Sequence, residues 1–349
     1  MRLPGIYRLR RAIRQFRNRF RPTAIILLYH RVIDSPCDPQ LLCVSPKHFA
    51  EHLEILKKYA HPISLEHLDQ SLRNRDTANR SVAISFDDGY TDNLHNAKPL
   101  LERFDIPATV FVVSGYVGSE REFWWDELER LLLLPNTLPA TFRLSINGNS
   151  YQGELKEWTR YVEDDYRHHR SWNVLEKGDP TLRHKHYRLL HQFLRPLPER
   201  DRRMVLDELG ALTCTGSKER ATHPNTLSRE EISRLDKYDL VDIGSHTVTH
   251  PALSGLSKTE QQCEIRESKV HLEEITGHPI KSFAYPYGTK DDYTIETTTL
   301  VREAGFEYAC SNFQDIVHQG TDPFQFPRVL VRDWNGEEFA RRLEQWFLG

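Results

Sequence analysis

Two short stretches of this chain carry side chains that chemistry uses. Ser85-Phe86-Asp87-Asp88-Gly89 sets two carboxylates side by side at the end of an apolar run, and His246-Thr247-Val248-Thr249-His250 sets two imidazoles four residues apart. Adjacent carboxylates are costly to bury unless cations or donors meet them. A metal ion would meet one, and the other, held beside the ion, could take a proton from water. Histidines at this spacing converge on one ion from a helical turn or a tight loop. Pro251, directly after the pair, argues for the loop. Two imidazoles and one carboxylate leave an open position on Zn2+ or a similar ion, as catalytic sites do and closed structural sites do not. An ion so held lowers the pKa of water and polarises a carbonyl. Taken singly, each stretch has a plainer reading: a solvated Asp-Asp-Gly turn, and a surface pair in a chain with 17 histidines.

The elements that must position these groups are legible as apolar runs. Ala24–Tyr29, Ser81–Phe86, Ala108–Val113, Val241–Gly244, Ser282–Tyr285, Phe306–Ser311 and Arg328–Val331 read as short buried strands. Helical patterns lie between most of them. Ser45-Pro46 reads as an N-cap with proline at the first helical position, Ser228 to Glu231 and Ser257 to Glu260 read as capping boxes, and Gly277 and Gly305 read as helix ends. Alternating strands and helices predict a right-handed α/β sheet or barrel, whose reactive groups gather at the carboxyl ends of the strands. Those ends read His30, Asp87-Asp88-Gly89, Ser245-His246 and Pro286-Tyr287-Gly288.

Residues 120–222 break the rhythm and are expected to form a mostly helical insertion on the barrel rim, between barrel segments 22–119 and 223–349. Its histidines (His168, His169, His184, His186, His191) are interleaved with arginine and lysine and read as a solvated helix face. Trp124-Trp125 reads as packing.

A chain of 349 residues fits one barrel of about 250 residues plus an insertion. The net charge of −3 offers no case for nucleic acid. Five scattered cysteines without a C-x-x-C predict free thiols in a reducing compartment. Ala24–Tyr29 is far below the roughly 20 residues that span a bilayer, and no signal peptide is visible. The first 21 residues differ in kind. They hold eight arginines and no acid, with Ile6, Leu9, Ile13, Phe16 and Phe20 on one helical stripe. Such a helix could lie on an anionic membrane surface, or simply dock on the barrel. The expectation is a cytoplasmic enzyme, peripheral to the inner membrane surface in the first of these two cases.

Ser85 to Gly89, His246 to His250 and Phe283-Ala284-Tyr285-Pro286-Tyr287-Gly288, in this order and each at a strand end, resemble the first three motifs of the polysaccharide deacetylase family (NodB-homology, carbohydrate esterase family 4). The resemblance covers roughly residues 24–118 and 227 to the C-terminus. It implies a distorted, incomplete (β/α)7 barrel. It implies that Asp88, His246 and His250 hold a divalent metal, zinc by default with cobalt or nickel tolerated. Asp87 is then the general base, and the Tyr287 backbone N–H helps to hold the oxyanion. Many members end in a leucine-rich strand with a catalytic histidine, whereas Phe339 to Gly349 contains none. The first strand, ending Leu28-Tyr29-His30-Arg31-Val32, is similar instead to the permuted exopolysaccharide type, which implies His30 as the general acid. Where many members carry an arginine that pairs with the base, this chain has Ala284. Arg328 or Arg332 could supply the charge, and Arg328, after Pro327 at a strand start, is the preferred candidate. Asp333-Trp334 resembles the family's aspartate–tryptophan motif, though a plain loop tryptophan reads equally well.

The resemblance thus implies a metal-dependent N-deacetylase that releases acetate from N-acetylated sugars of a polysaccharide or lipid-linked oligosaccharide. Three alternatives stay open: a deformylase or O-deacylase of a lipid-linked sugar, a non-catalytic carbohydrate-binding barrel, and a glycosidase using Asp87 with a second carboxylate.

Overall fold

Apolar runs without polar alternation become strands covered on both faces. In the computed structural model β1 (Ala24–Tyr29), β2 (Ser81–Phe86) and β3 (Ala108–Val112) are buried at every position. The model describes residues 23–134, 136–146, 148–212, 226–237 and 240–348. The arginine-rich segment 1–21 lies outside them. With β4 (Val241–Ser245), β5 (Ser282–Ala284), β6 (Tyr308–Cys310) and β7 (Val329–Leu330), the strands form a parallel sheet in the order β6-β5-β4-β3-β2-β1-β7. His61–Pro62 adds a short parallel pairing at the start of β2. Each strand lies beside its predecessor and the last returns to the first, which is the winding of a (β/α) barrel.

Closure is incomplete. Among the described residues β6 and β7 do not pair as strands. Phe326 bridges Cys310 of β6, and three residues later Val329 pairs with Leu27 of β1. Arg328 therefore sits in the seam. The strands here are shorter than the runs Phe306–Ser311 and Arg328–Val331 predict, because a seam strand finds a continuous partner on one side only.

The helices start where the caps predict. Ser45 Oγ accepts from His48 N at α1 (Pro46–Tyr59). The connections continue with α2 (Leu65–Asn74), α3 (Lys98–Phe104), α4 (Arg229–Leu235) and α5 (Lys258–Thr276). Both α4 and α5 open with complete capping boxes, and α5 closes on Gly277 at φ +79°. α6 (Ile295–Glu303) and α7 (Gly336–Leu348) follow. One core, from Ile25 and Phe49 to Phe283 and Phe339, joins the sheet to these helices. No helix among the described residues is long and apolar enough to cross a membrane.

The chain divides into two compact units. The barrel unit comprises the described residues up to Asp34 with Cys43–Val117 and Leu227 onward, and the second unit comprises Ser35–Leu42 and Gly118–Thr226. The second contains the helices Trp124–Leu133, Glu163–His169, Leu182–Leu194 and Glu199–Leu212. It also contains an antiparallel hairpin, Thr141–Ile146 with Asn149–Glu154, which the linear reading passed over. Its first strand alternates exposed and buried residues throughout, and Asn147-Gly148 is the dipeptide that two-residue hairpin loops favour.

The hairpin corrects the reading of the histidines. His184 and His186 are buried, not on a solvated face. His186 Nδ1 meets the Tyr151 hydroxyl at 2.6 Å, and His184 Nδ1 meets Thr181 Oγ1 at 2.7 Å. His168 remains exposed. Trp124 and Trp125 are buried, with Trp124 against His191 (centroids 4.8 Å apart) and Trp125 stacked on Phe123. Cys263 and Cys310 are free thiols, the first exposed and the second buried.

Candidate active site

The polar residues that follow β1, β2, β4 and β5 meet at one end of the sheet. Asp87 continues β2, its N–H donating to Tyr29 O (3.0 Å), and His246 continues β4, its N–H donating to Val112 O (2.9 Å). These ladder bonds bring residues 159 positions apart in the chain to one spot (246 minus 87). His246 Nε2 is 3.7 Å from both Asp87 Oδ2 and Asp88 Oδ1, and His250 Nε2 is 3.5 Å from Asp88 Oδ1. One ligand atom each from Asp88, His246 and His250 lies within 4.8 Å of the others, and all three residues are buried.

These spacings suit a metal ion. Ligand atoms about 2.1 Å from a tetrahedral ion stand about 3.4 Å apart. The tautomer suits it too. His246 Nδ1 faces the Ala284 carbonyl at 2.8 Å, and a carbonyl only accepts, so Nδ1 carries the proton and Nε2 offers its lone pair. Burial holds the His246 pKa below the ordinary histidine value against the raising pull of Asp87. A neutral imidazole is the ligating form.

The backbone is contorted at this spot. Asp88 (φ 76°), Thr247 (φ 66°), His250 (φ 56°) and Tyr287 (φ 58°) all occupy the left-handed region. Non-glycine residues rarely go there, a β-branched threonine least of all, and each such residue costs of order 1–3 kcal/mol. Such strain clusters where a fold needs side chains aimed in one direction. Gly288 follows at φ +64°, and a Cβ there would lie 2.7 Å from Asn312 N, so only glycine lets the turn after Tyr287 close.

Arg328 reaches the site from the seam. Its guanidinium is buried and grips Asp87 with both arms, Nη1 to Oδ1 at 2.6 Å and Nη2 to Oδ2 at 2.7 Å. Nε donates to Ser311 O at 2.8 Å, Nη1 also reaches Ser85 Oγ at 3.3 Å, and the group lies over the Phe111 ring. Ala284 packs in the same cluster as Phe111. Burial by itself pushes the Asp87 carboxyl up. Arg328, with His246 and His30, outweighs burial and holds it below the usual carboxylate value.

His30 continues β1 into the same end of the sheet. Burial pushes its pKa down to about 4, with Asp87 raising it and Arg328, Arg332 and His246 lowering it. Tyr287 lies beside His250, with ring centroids 4.7 Å apart. Asp333 stands apart from this cluster: it accepts from Ser45 N, Ser45 Oγ and His48 Nδ1 and so fastens the start of α1, while Trp334 packs by Trp346.

Several residues that sequence reasoning missed hold the site. Asn93 Nδ2 donates to His30 O (2.8 Å), and Asp92 accepts from Val32 N (2.8 Å) and Arg31 Nε (3.0 Å). The turn after the two aspartates thereby pins the end of β1. It runs into a π-helical segment, Asn93–Ala97, a distortion common at functional sites. The only sequence signal was polar residues just beyond an Asp-Asp-Gly turn.

Comparison with known proteins follows the same outline. The model of a family described as polysaccharide deacetylase matches residues 74–136 and 213–309. The poly-beta-1,6-N-acetyl-D-glucosamine N-deacetylase of Staphylococcus aureus (strain MSSA476) is 21% identical over 337 residues, covering 93% of this chain and 83% of that protein. YxkH of Bacillus subtilis (strain 168) is 28% identical over 109 residues, 30% of this chain and 37% of that protein. IcaB from Ammonifex degensii, a solved structure, matches with a TM-score of 0.57 at 18% identity, covering 94% of this chain and 98% of that one. The shared fold is the NodB-type (β/α)7 barrel.

Proposed function

We propose that this chain, which belongs to the polysaccharide deacetylase family and is a hydrolase of carbon–nitrogen amide bonds, removes N-acetyl groups from a glycan with a divalent metal held by Asp88, His246 and His250. The observation that carries the proposal is the convergence of those three ligand atoms within 4.8 Å, beside an Asp87 that Arg328 keeps ionised. When bound, the ion lowers the pKa of water and polarises the acetamide carbonyl.

The remaining work falls to the chain's own residues. Asp87, ionised and fixed in orientation by two arginine hydrogen bonds, accepts the proton of the attacking water at a carboxylate oxygen. The Tyr287 backbone N–H adds a donor to the developing oxyanion. His30 delivers a proton to the departing amine. It is neutral at rest, so it must first gain that proton, and Asp87 is the neighbour that raises its affinity. The proton that Asp87 takes from the attacking water balances the one that His30 gives to the amine. Acetate and a free amino sugar leave.

The staphylococcal relative, similar along 93% of this chain, supports a polymer of N-acetylglucosamine as substrate. Zinc is the default ion for two imidazoles and a carboxylate, with cobalt or nickel also accepted. The eight arginines and apolar stripe of residues 1–21 support action at an anionic membrane surface, where a lipid-linked glycan would be met.

The test is metal content and acetate release from N-acetylglucosamine oligomers, with wild type and His246→Ala. Near-stoichiometric metal and acetate release, both lost in the variant, support the reading. Metal without acetate shifts the reaction to another acyl group, to be sought as formate or an ester-derived acid. A wild type that binds no metal after reconstitution overturns it.

A further inference from the structure

The loop from His246 to His250 carries two of the three ligands on a backbone that does not hold its own shape. Thr247 and His250 both have positive φ. Two supports clamp it. On one side the exit of β3 satisfies its carbonyls: Ser114 N donates to Thr247 O (3.0 Å) and Gly115 N to Val248 O (2.9 Å). The approach is so close that a Cβ on Gly115 would lie 2.5 Å from Val248 O. On the other side one carboxylate satisfies the donors. Glu264, from the second turn of α5, accepts Val248 N (2.8 Å) and Thr249 N (2.9 Å) at Oε2 and the Thr249 hydroxyl (2.5 Å) at Oε1. Within the loop itself His250 N donates to Thr247 Oγ1 (3.0 Å).

We infer that Glu264 is a positioning residue for the metal site: its carboxylate holds the strained loop in the one conformation that aims His246 Nε2 and His250 Nε2 at Asp88. It lies 14 positions beyond His250 (264 minus 250), outside the motif itself. Its partners are two successive backbone N–H groups and a hydroxyl, so its grip is on the loop's shape. An acceptor of the same geometry serves equally. In Glu264→Gln the amide oxygen takes both N–H groups and the amide nitrogen donates to the threonine oxygen. In Glu264→Ala the loop loses all three bonds and relaxes toward conformations in which the imidazoles no longer converge. Supports of this kind typically govern metal affinity by 10–100-fold. The inference rests on the metal reading proposed above.

The test is Zn2+ affinity of the full chain, measured by competition with a chromophoric chelator, alongside the absorption spectrum of the Co2+-loaded protein and the unfolding temperature of the metal-free protein. Glu264→Ala is expected to lose about 10–100-fold in affinity, with an altered Co2+ spectrum and a metal-free unfolding temperature close to wild type. Glu264→Gln is expected to stay within about threefold of wild type, well inside the span that outer-shell partners govern. Should the alanine variant not fold, Thr249→Val removes the hydroxyl contact from the loop side, and a loss of affinity with an altered Co2+ spectrum is expected there. Wild-type affinity in Glu264→Ala, or in Thr249→Val when it stands in, overturns the inference, and so does a glutamine variant that falls as far as alanine. A wild type that binds neither Zn2+ nor Co2+ is a different result, because it removes the metal site itself.

Discussion

Arg328→Met is the most informative single change. The methionine keeps much of the bulk in the seam but removes the partner of a carboxylate that is itself buried. The pair is bidentate, at 2.6 and 2.7 Å, and charge-assisted bonds of this kind are about twice as strong as neutral ones. Two unit charges about 4 Å apart at an effective dielectric of about 20 attract by about 4 kcal/mol. Breaking a buried pair from one side typically costs about 3–5 kcal/mol, because the other charge stays behind. At about 2–4 °C per kcal/mol, the barrel's unfolding temperature should fall by roughly 6–20 °C at neutral pH. The sign with pH follows from the direction of the shift. Asp87 is held below its ordinary value, so the pair's contribution is present above the unfolded carboxylate pKa and is lost as pH falls through the folded one. In the variant burial raises the carboxyl, which then takes up a proton as pH falls, so the gap between variant and wild type should narrow from about pH 7 toward about 4. Without Arg328 the balance on Asp87 tips to burial, the carboxyl rises, and the base is lost. General base catalysis supplies about 10²–10⁴-fold, so kcat should drop by at least about 100-fold with KM little changed. The double variant Asp87→Asn with Arg328→Met removes both charges and should recover much of the stability, with a coupling of about 2 kcal/mol or more. Thermal scans from pH 4 to 8 and acetate-release kinetics measure all of this. An Arg328→Met protein within about 2 °C and threefold of wild type would refute the assignment of Arg328 as the partner that keeps the base ionised.

Three further outcomes follow from the same geometry. Zn2+ at about 100 times its dissociation constant should stabilise the wild type by about 2.7 kcal/mol, seen as a rise of several degrees in the barrel's unfolding temperature; His250→Ala should show no such rise, and an equal rise there would remove His250 from the ligand set. His30→Gln should lower kcat by about 10²–10⁴-fold while metal content stays at wild-type level, and joint loss of metal and activity would show that His30 supports the ligands instead. Asp242, on β4, has its carboxyl pushed up to about 6 by burial and then by Glu66 and Asp236. The folded state therefore binds a proton that the unfolded state does not between about pH 4 and 6, and stability falls as pH rises through that window. Asp242→Asn should stabilise by about 1–2 kcal/mol at pH 7.5 and by little at pH 4; equal gains at both pH values in thermal unfolding would contradict this.

The barrel and the main chemical actors could be read from the linear chain because their signals are local. A buried parallel strand is a short unbroken apolar run, as in Ala24–Tyr29 and Ser81–Phe86. A helix start is a cap within four residues, as at Ser228 and Ser257. A candidate for chemistry stands out when it interrupts an apolar run, as Asp87, His246 and His30 do. The hairpin Thr141–Ile146 with Asn149–Glu154 was legible in the same way, through its alternation and its Asn-Gly turn. It was missed because the helical surroundings set the reading, and the buried His184 and His186 were misplaced with it.

Which distant groups meet depends on the closing of the sheet. Between Arg328 and Arg332 the linear chain offers only the position of Arg328 after Pro327 at a strand start. The choice comes from the seam, where the chain bonds β6 at Phe326 and β1 at Val329 and turns the intervening side chain toward Asp87. Glu264, Asp92 and Asn93 are ordinary helix and turn residues by type, and their roles arise from hydrogen bonds to backbone groups, which leave no mark on the partner's residue type. The left-handed backbone at Asp88, Thr247, His250 and Tyr287 is likewise invisible in residue identity, since none is glycine. Residue types and their spacing along the chain set the periodicities, the caps and the polar side chains at the strand ends. Pairing across more than 150 residues, and the strain that surrounding contacts sustain, are properties of the closed sheet and exist only once it has formed.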